Sequence, residues 1–207
     1  DPSPYFTISA FAGNPLYIAL RQVPEVQAST RAQEVWRELQ SVPEQSRTGL
    51  RVDYPPVLRF KQAVLEAAYA HFRDQVLGKD AKRTQKFEIF RKENAYWLDN
   101  YTVFRSISKA EQAGWRNWKD HGLRDREPAA LEKWRGEHHD EIQFYQYVQF
   151  LFDEQLKSVR RYAHQKNIRL TGDMPGYVDG DASWAYPEAI DTGFTSGAQA
   201  DRYSVIG

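Results

Sequence analysis

The segment Ile168-Arg169-Leu170-Thr171-Gly172-Asp173-Met174-Pro175 decides the fold class. Its first four residues alternate apolar and polar, the period of a half-buried strand, and Gly172-Asp173 closes the run. Just upstream, Asn167 is a stop signal for the helix that comes before it. A helix feeding a short strand that ends in an acid is the local grammar of a β/α barrel, where sites form on the loops beyond the strands. The expected class is therefore α/β, with a strand over 168–171.

On the N-terminal side of that segment, residues 28–165 are helical in pattern. Pro55 and Pro56 suit the opening of a helix, and Leu58, Val64, Leu65, Ala68, Tyr69 and Phe72 then recur every three or four residues as one apolar stripe. A second stripe runs through Phe87, Phe90, Asn94, Trp97, Leu98, Tyr101 and Phe104. The third takes Leu131 and Trp134, breaks or bends near Gly136, and continues through Ile142, Tyr145, Val148, Phe152 and Leu156. The aromatic members, Trp97, Tyr101, Tyr145 and Phe152, are expected in the core. Residues 1–27 are rich in Pro, Gly, Ser and aromatics, and Leu16 to Leu20 is their one short apolar run, which suggests a loop leading into a brief strand or turn. Residues 166–207 return to Gly, Asp, Ser, Pro and aromatics with little periodicity, the pattern of ordered loops. The chain thus divides at 1–27, 28–165 and 166–207, with no internal repeat and no flexible linker.

Composition narrows the function. Lys plus Arg and Asp plus Glu each number 28 in 207 residues, so no net field favours nucleic acid or an anionic membrane, and neutral partners fit better. No stretch of eighteen apolar residues is present to span a bilayer. The chain has no cysteine, which removes disulfides, thiol nucleophiles and thiolate metal sites and is permissive of a reducing, cytoplasmic setting. His138-His139 beside Asp140 and Glu141 lacks the i, i+4 histidine spacing of a zinc helix and reads as a solvated face. No phosphate loop, dinucleotide fingerprint or Gly-x-Ser-x-Gly elbow occurs. Neither a metal nor a cofactor is expected.

Three segments carry candidate site residues, and each has a plainer reading. Asp173 after a Gly also suits a turn or a helix cap. Tyr5, in Ser3-Pro4-Tyr5-Phe6, also suits a packed surface aromatic. Asp201 ends Gly197-Ala198-Gln199-Ala200-Asp201, an unpatterned loop. Asn14-Pro15 is expected to hold its loop by turn chemistry.

The block Ser3-Pro4-Tyr5-Phe6-Thr7-Ile8-Ser9-Ala10-Phe11-Ala12-Gly13-Asn14-Pro15, joined far along the chain by Gly172-Asp173-Met174-Pro175, resembles the amylomaltases, the 4-α-glucanotransferases that disproportionate maltooligosaccharides. Glu93-Asn94-Ala95-Tyr96-Trp97-Leu98-Asp99-Asn100-Tyr101 is similar to that family's Glu-x-x-Trp-Leu-Glu-Asp-Tyr helix, and Trp184 and Pro187 match its Trp-Ala-x-Pro segment, where a packing role is expected. The resemblance implies part of a (β/α)8 TIM-type barrel carrying a large, mainly helical insertion over 28–165. It implies transfer between an α-1,4-glucan donor and a glucose or glucan acceptor through a glucosyl-enzyme intermediate. Ser3 and Tyr5 would line the sugar cleft, and Asp173 would hydrogen-bond the sugar at the cleavage point. Asp201 would lie on a mobile loop whose two family prolines are replaced here, so a looser loop is expected. The family's catalytic nucleophile and acid/base are expected beyond Gly207, with this stretch alone inactive. A non-catalytic glucan-binding scaffold of the same fold and a helical interaction protein are the alternative classes.

Overall fold

The computed structural model describes residues 6–7, 9, 11–40, 54–172, 177–178 and 181–186. They belong to two compact units, one drawn from Asp1–Phe11, Asn100–His138 and Gly172–Gly207, the other from Ala12–Asp99 and His139–Thr171.

The second unit is helical. A 3-10 turn at Pro15–Tyr17 and another at Leu20–Gln22 lead into α1 (Pro24–Ala28) and α2 (Thr30–Gln40). Ser29 caps α2, its hydroxyl accepting from the Ala32 N–H at 3.1 Å. α3 (Tyr54–His71) carries Pro55 and Pro56 in its first turn, where proline costs no intrahelical bond. It loosens into a π-helical turn at Phe72–Val76 and is stopped by Gly78, whose φ of +74° a glycine adopts without strain. Asp80 then caps α4 (Ala81–Glu111) by accepting from the Arg83 N–H at 3.0 Å. Residues 81–99 of α4 lie in this unit, together with α7 (His139–Gln165).

Aromatic rings fill the core of this unit. Phe72 stacks on Tyr147 with ring centroids 4.8 Å apart and meets Phe87 edge-on at 5.1 Å, while Phe150 receives Phe87 at 5.5 Å and Phe90 at 5.7 Å. Such offset and edge-to-face pairs add about 0.5–1.5 kcal/mol each beyond the burial of their area. From Ile142 to Leu151 every residue of α7 is buried, so this helix is covered all round in its middle. Its end is a Schellman cap: Asn167 takes a φ of +55°, the Ile168 N–H bonds the Ala163 carbonyl at 2.9 Å, and the Asn167 N–H bonds His164 at 3.0 Å. The stop expected at Asn167 is the one observed.

The first unit holds β1 (Phe6–Thr7), residues 100–111 of α4, a 3-10 turn at Trp115–Asn117, α5 (His121–Arg124), α6 (Pro128–Glu137), β2 (Tyr177–Val178) and α8 (Asp181–Ala185). Asp120 caps α5 through the Leu123 N–H at 3.1 Å. Among the described residues no helix is long and apolar enough to cross a membrane.

Two expectations are corrected. Residues 168–171 form no strand: Ile168 and Leu170 are each 56% exposed and have no ladder partner among the described residues. Alternation marks a surface that could be half-buried, but a strand exists only where a neighbour accepts its backbone bonds, and the pairing falls instead at Tyr177–Val178. Leu58 is 46% exposed and leaves the stripe, because it sits in the first turns of α3 while the buried members begin at Val64. Of the strand or turn expected for Leu16 to Leu20, the turn is observed, as 3-10 turns whose first is shaped by Asn14 and Pro15. The break expected near Gly136 is observed at His138, between α6 and α7.

Candidate functional site

β1 and β2 form a parallel pair with Phe6 opposite Tyr177 and Thr7 opposite Val178. The pairing joins the chain immediately after Ser3-Pro4-Tyr5 to the chain just past Gly172-Asp173-Met174-Pro175. Two signatures far apart in sequence are thereby tied to one backbone ladder. Parallel neighbours turn matching ends to the same side, so both signatures lead into the N-terminal ends of this pair. Ser3, Tyr5, Asp173 and Asp201 themselves lie outside the described residues, as does Pro187.

Beyond β2, the segment around α8 is firmly packed within the first unit. Trp184 is 2% exposed, and its indole N–H donates to the Leu123 carbonyl at 3.1 Å. Its ring meets Trp118 edge-on at 5.6 Å and Phe104 at 5.8 Å, and the Arg126 guanidinium lies 4.3 Å over it. On either side, Trp115 donates to Ser183 Oγ at 3.0 Å and Asn100 donates to the Tyr186 hydroxyl at 3.2 Å. The packing role expected of Trp184 is observed.

The end of the first signature is gripped within the second unit. Asn14 Oδ1 accepts from the Leu16 N–H at 3.0 Å, which is the turn chemistry expected of Asn14-Pro15. The Gly13 N–H donates to Gln149 Oε1 at 2.8 Å, and Gln149 Nε2 donates back to the Gly13 carbonyl at 3.0 Å. Gln155 repeats the pattern on Ala19, at 2.8 and 3.1 Å. Between them, Lys61 Nζ donates to the Leu16 carbonyl and, at 2.7 Å, to that of Ile18. Burial holds the Lys61 ammonium below the usual lysine range.

A family model described as 4-alpha-glucanotransferase matches residues 1–207. The chain belongs to the 4-alpha-glucanotransferase family. A 4-alpha-glucanotransferase of Synechocystis sp. is 34% identical over 215 residues, covering 99% of this chain and 40% of the relative. One from Thermus thermophilus is 32% identical over 189 residues, covering 90% and 35%. Among solved structures, the amylomaltase from Streptococcus agalactiae in complex with acarbose is similar at a TM-score of 0.73 and 25% identity, over 98% of this chain and 40% of that one. The chain spans about 40% of the length of these relatives.

In this chain, the side chains that sequence patterns missed are polar groups in helical surroundings. Gln149 and Gln155 are two. A third set is the ion cluster around Glu25, which is 2% exposed. Arg83 binds Glu25 two-pronged, at 2.8 and 3.2 Å, and pairs with Glu154, while the Tyr147 hydroxyl donates to Glu25 at 3.0 Å. Burial, reinforced by Glu25, holds the Tyr147 phenol well above its usual range. Tyr69, bonded to Asp140 Oδ1 at 2.8 Å, is raised for the same reasons: burial first, then the carboxylate. Both phenols stay protonated and serve the scaffold. Among the described residues no group of three or more His, Asp or Glu is placed to hold a metal ion, and His138 lies stacked on Trp134 at 3.6 Å.

Proposed function

We propose that the protein carrying this chain is a 4-α-glucanotransferase that moves segments of α-1,4-glucans from a maltooligosaccharide donor to a glucose or glucan acceptor. The family match over residues 1–207 carries this reading, and the acarbose complex of the similar amylomaltase points to the same substrate class. The mechanism is a retaining double displacement: an Asp attacks the anomeric carbon, a Glu protonates the departing oxygen, and the same Glu then deprotonates the acceptor hydroxyl that releases the glucosyl unit. Both carboxylates belong to parts of the protein outside this stretch. The β1–β2 pair is part of a (β/α)8 barrel that closes in the whole protein, and 28–165 supplies its helical insertion.

Within the stretch, Asp173 accepts hydrogen bonds from hydroxyls of the sugar at the cleavage point. Its negative charge favours the oxocarbenium-like transition state over the ground state. Ser3 and Tyr5 line the cleft, the ring of Tyr5 offering an apolar face to a glucose, and Asp201 rides on the loop that covers it. No metal or cofactor takes part, and the setting is cytoplasmic. Incubation of the protein with maltotriose is expected to give glucose plus a ladder of longer maltooligosaccharides, because a sugar competes with water for the intermediate. Hydrolysis products alone, or none, would overturn the reading.

A further inference from the structure

Glycine offers nothing but main chain to hold, and Gly13 is held at its N–H and carbonyl by the Gln149 side chain. The Gln149 amide presents to it the same donor and acceptor that a neighbouring strand would, at 2.8 and 3.0 Å. Phe152, one turn further along α7, occupies the place of any side chain: a Cβ at Gly13 would lie 2.1 Å from its ring. Gln155 then grips Ala19 in the same two-bonded way. The two amides stand about 9 Å apart along the helix axis, from six residues at ~1.5 Å each. The six residues from Gly13 to Ala19 would span roughly 20 Å if extended. The 3-10 turn at Pro15–Tyr17, started by Asn14 and Pro15, takes up the excess, so both grips close together. Lys61 fastens the turn from α3.

We propose that Gln149 and Gln155 are positioning residues for glucan transfer. They touch no sugar; they fix the path of 13–19 and, through the continuous chain, the anchored end of the Ser3–Pro15 signature. This inference rests on the functional reading above. Its test is Gln149→Met, which keeps the volume and removes both bonds. Gln143→Met serves as the control, since Gln143 is a buried glutamine of the same helix that instead accepts from the Tyr69 hydroxyl at 3.0 Å.

Two readouts are measured in the whole protein. Amide hydrogen exchange at Gly13 is expected to quicken about tenfold or more in Gln149→Met, and kcat/KM on maltotriose per folded molecule to fall by about tenfold or more. Gln143→Met is expected to lower the melting temperature while leaving both readouts near wild type. Equal transfer kinetics for the two variants, or unchanged exchange at Gly13, would overturn the inference while leaving the function intact. A wild-type protein without transfer would overturn the functional reading and this inference with it.

Discussion

A Cβ added at Gly13 would sit 2.1 Å from Cδ1 of Phe152, so Gly13→Ala must displace either the ring or a main chain that Gln149 holds at two atoms. Overpacking of this kind costs about 1–3 kcal/mol. The thermal midpoint is expected to fall, and Phe152→Leu in the same molecule to restore part of the loss; a Gly13→Ala protein that melts like wild type would remove the close contact. Asp173→Asn keeps shape and loses charge. Its turnover on maltotriose is expected to drop by more than its ground-state binding weakens, whereas unchanged turnover would make Asp173 a turn residue. For single residues the sequence revealed what local chemistry dictates. Asn14-Pro15 announced its turn because the amide oxygen of Asn reaches an N–H two residues on. Gln149 and Gln155 were silent, since a helical glutamine has the same pattern whether it faces water or clasps a backbone 136 positions away.

Among the elements, α3, α4 and α7 were legible from their apolar spacing, as Val64, Phe87, Leu98 and Val148 attest by their burial. Leu58 was not, because periodicity gives a face but not how far along the helix that face is covered. The strand expected at 168–171 failed for a related reason: alternation describes one segment, while pairing needs two. Two phenols, Tyr147 of α7 and Tyr69 of α3, carry a pH dependence that apolar spacing did not disclose. Burial and Glu25 raise the Tyr147 phenol, and burial and Asp140 raise that of Tyr69. Above about pH 10 the unfolded chain releases these protons and the folded one keeps them, so stability that is fully present below that pH is lost as it rises. The melting temperature is expected to decline through this alkaline range, and less steeply in Tyr147→Phe. Identical slopes for the two proteins would show that Tyr147 ionises as freely when folded as when unfolded.

Across the full chain, charge balance carries the remaining argument. Lys plus Arg and Asp plus Glu are equal at 28 each, and within the second unit Arg83 is paired with Glu25 and Glu154. Family membership was legible in two short signatures, one dense in Pro, Gly and aromatics and the other the run Gly-Asp-Met-Pro, whereas the barrel was legible only as an expectation, since a closed sheet depends on many segments at once and the described residues hold the β1–β2 pair. A maltooligosaccharide has no charge, so under the proposed function its capture would owe nothing to long-range steering and everything to contacts made after encounter. Salt shortens the reach of exposed charges from ~30 Å at about 0.01 M to ~8 Å at about 0.15 M. For a neutral donor and acceptor, kcat/KM on maltotriose is expected to change by less than about twofold across that range. An anionic substrate drawn to a basic surface would instead lose rate steeply as salt rises. A steep fall measured with the protein's best donor would therefore point away from a neutral glucan, while a flat profile, together with the ladder of products from maltotriose, leaves contact chemistry at the cleft as the source of specificity.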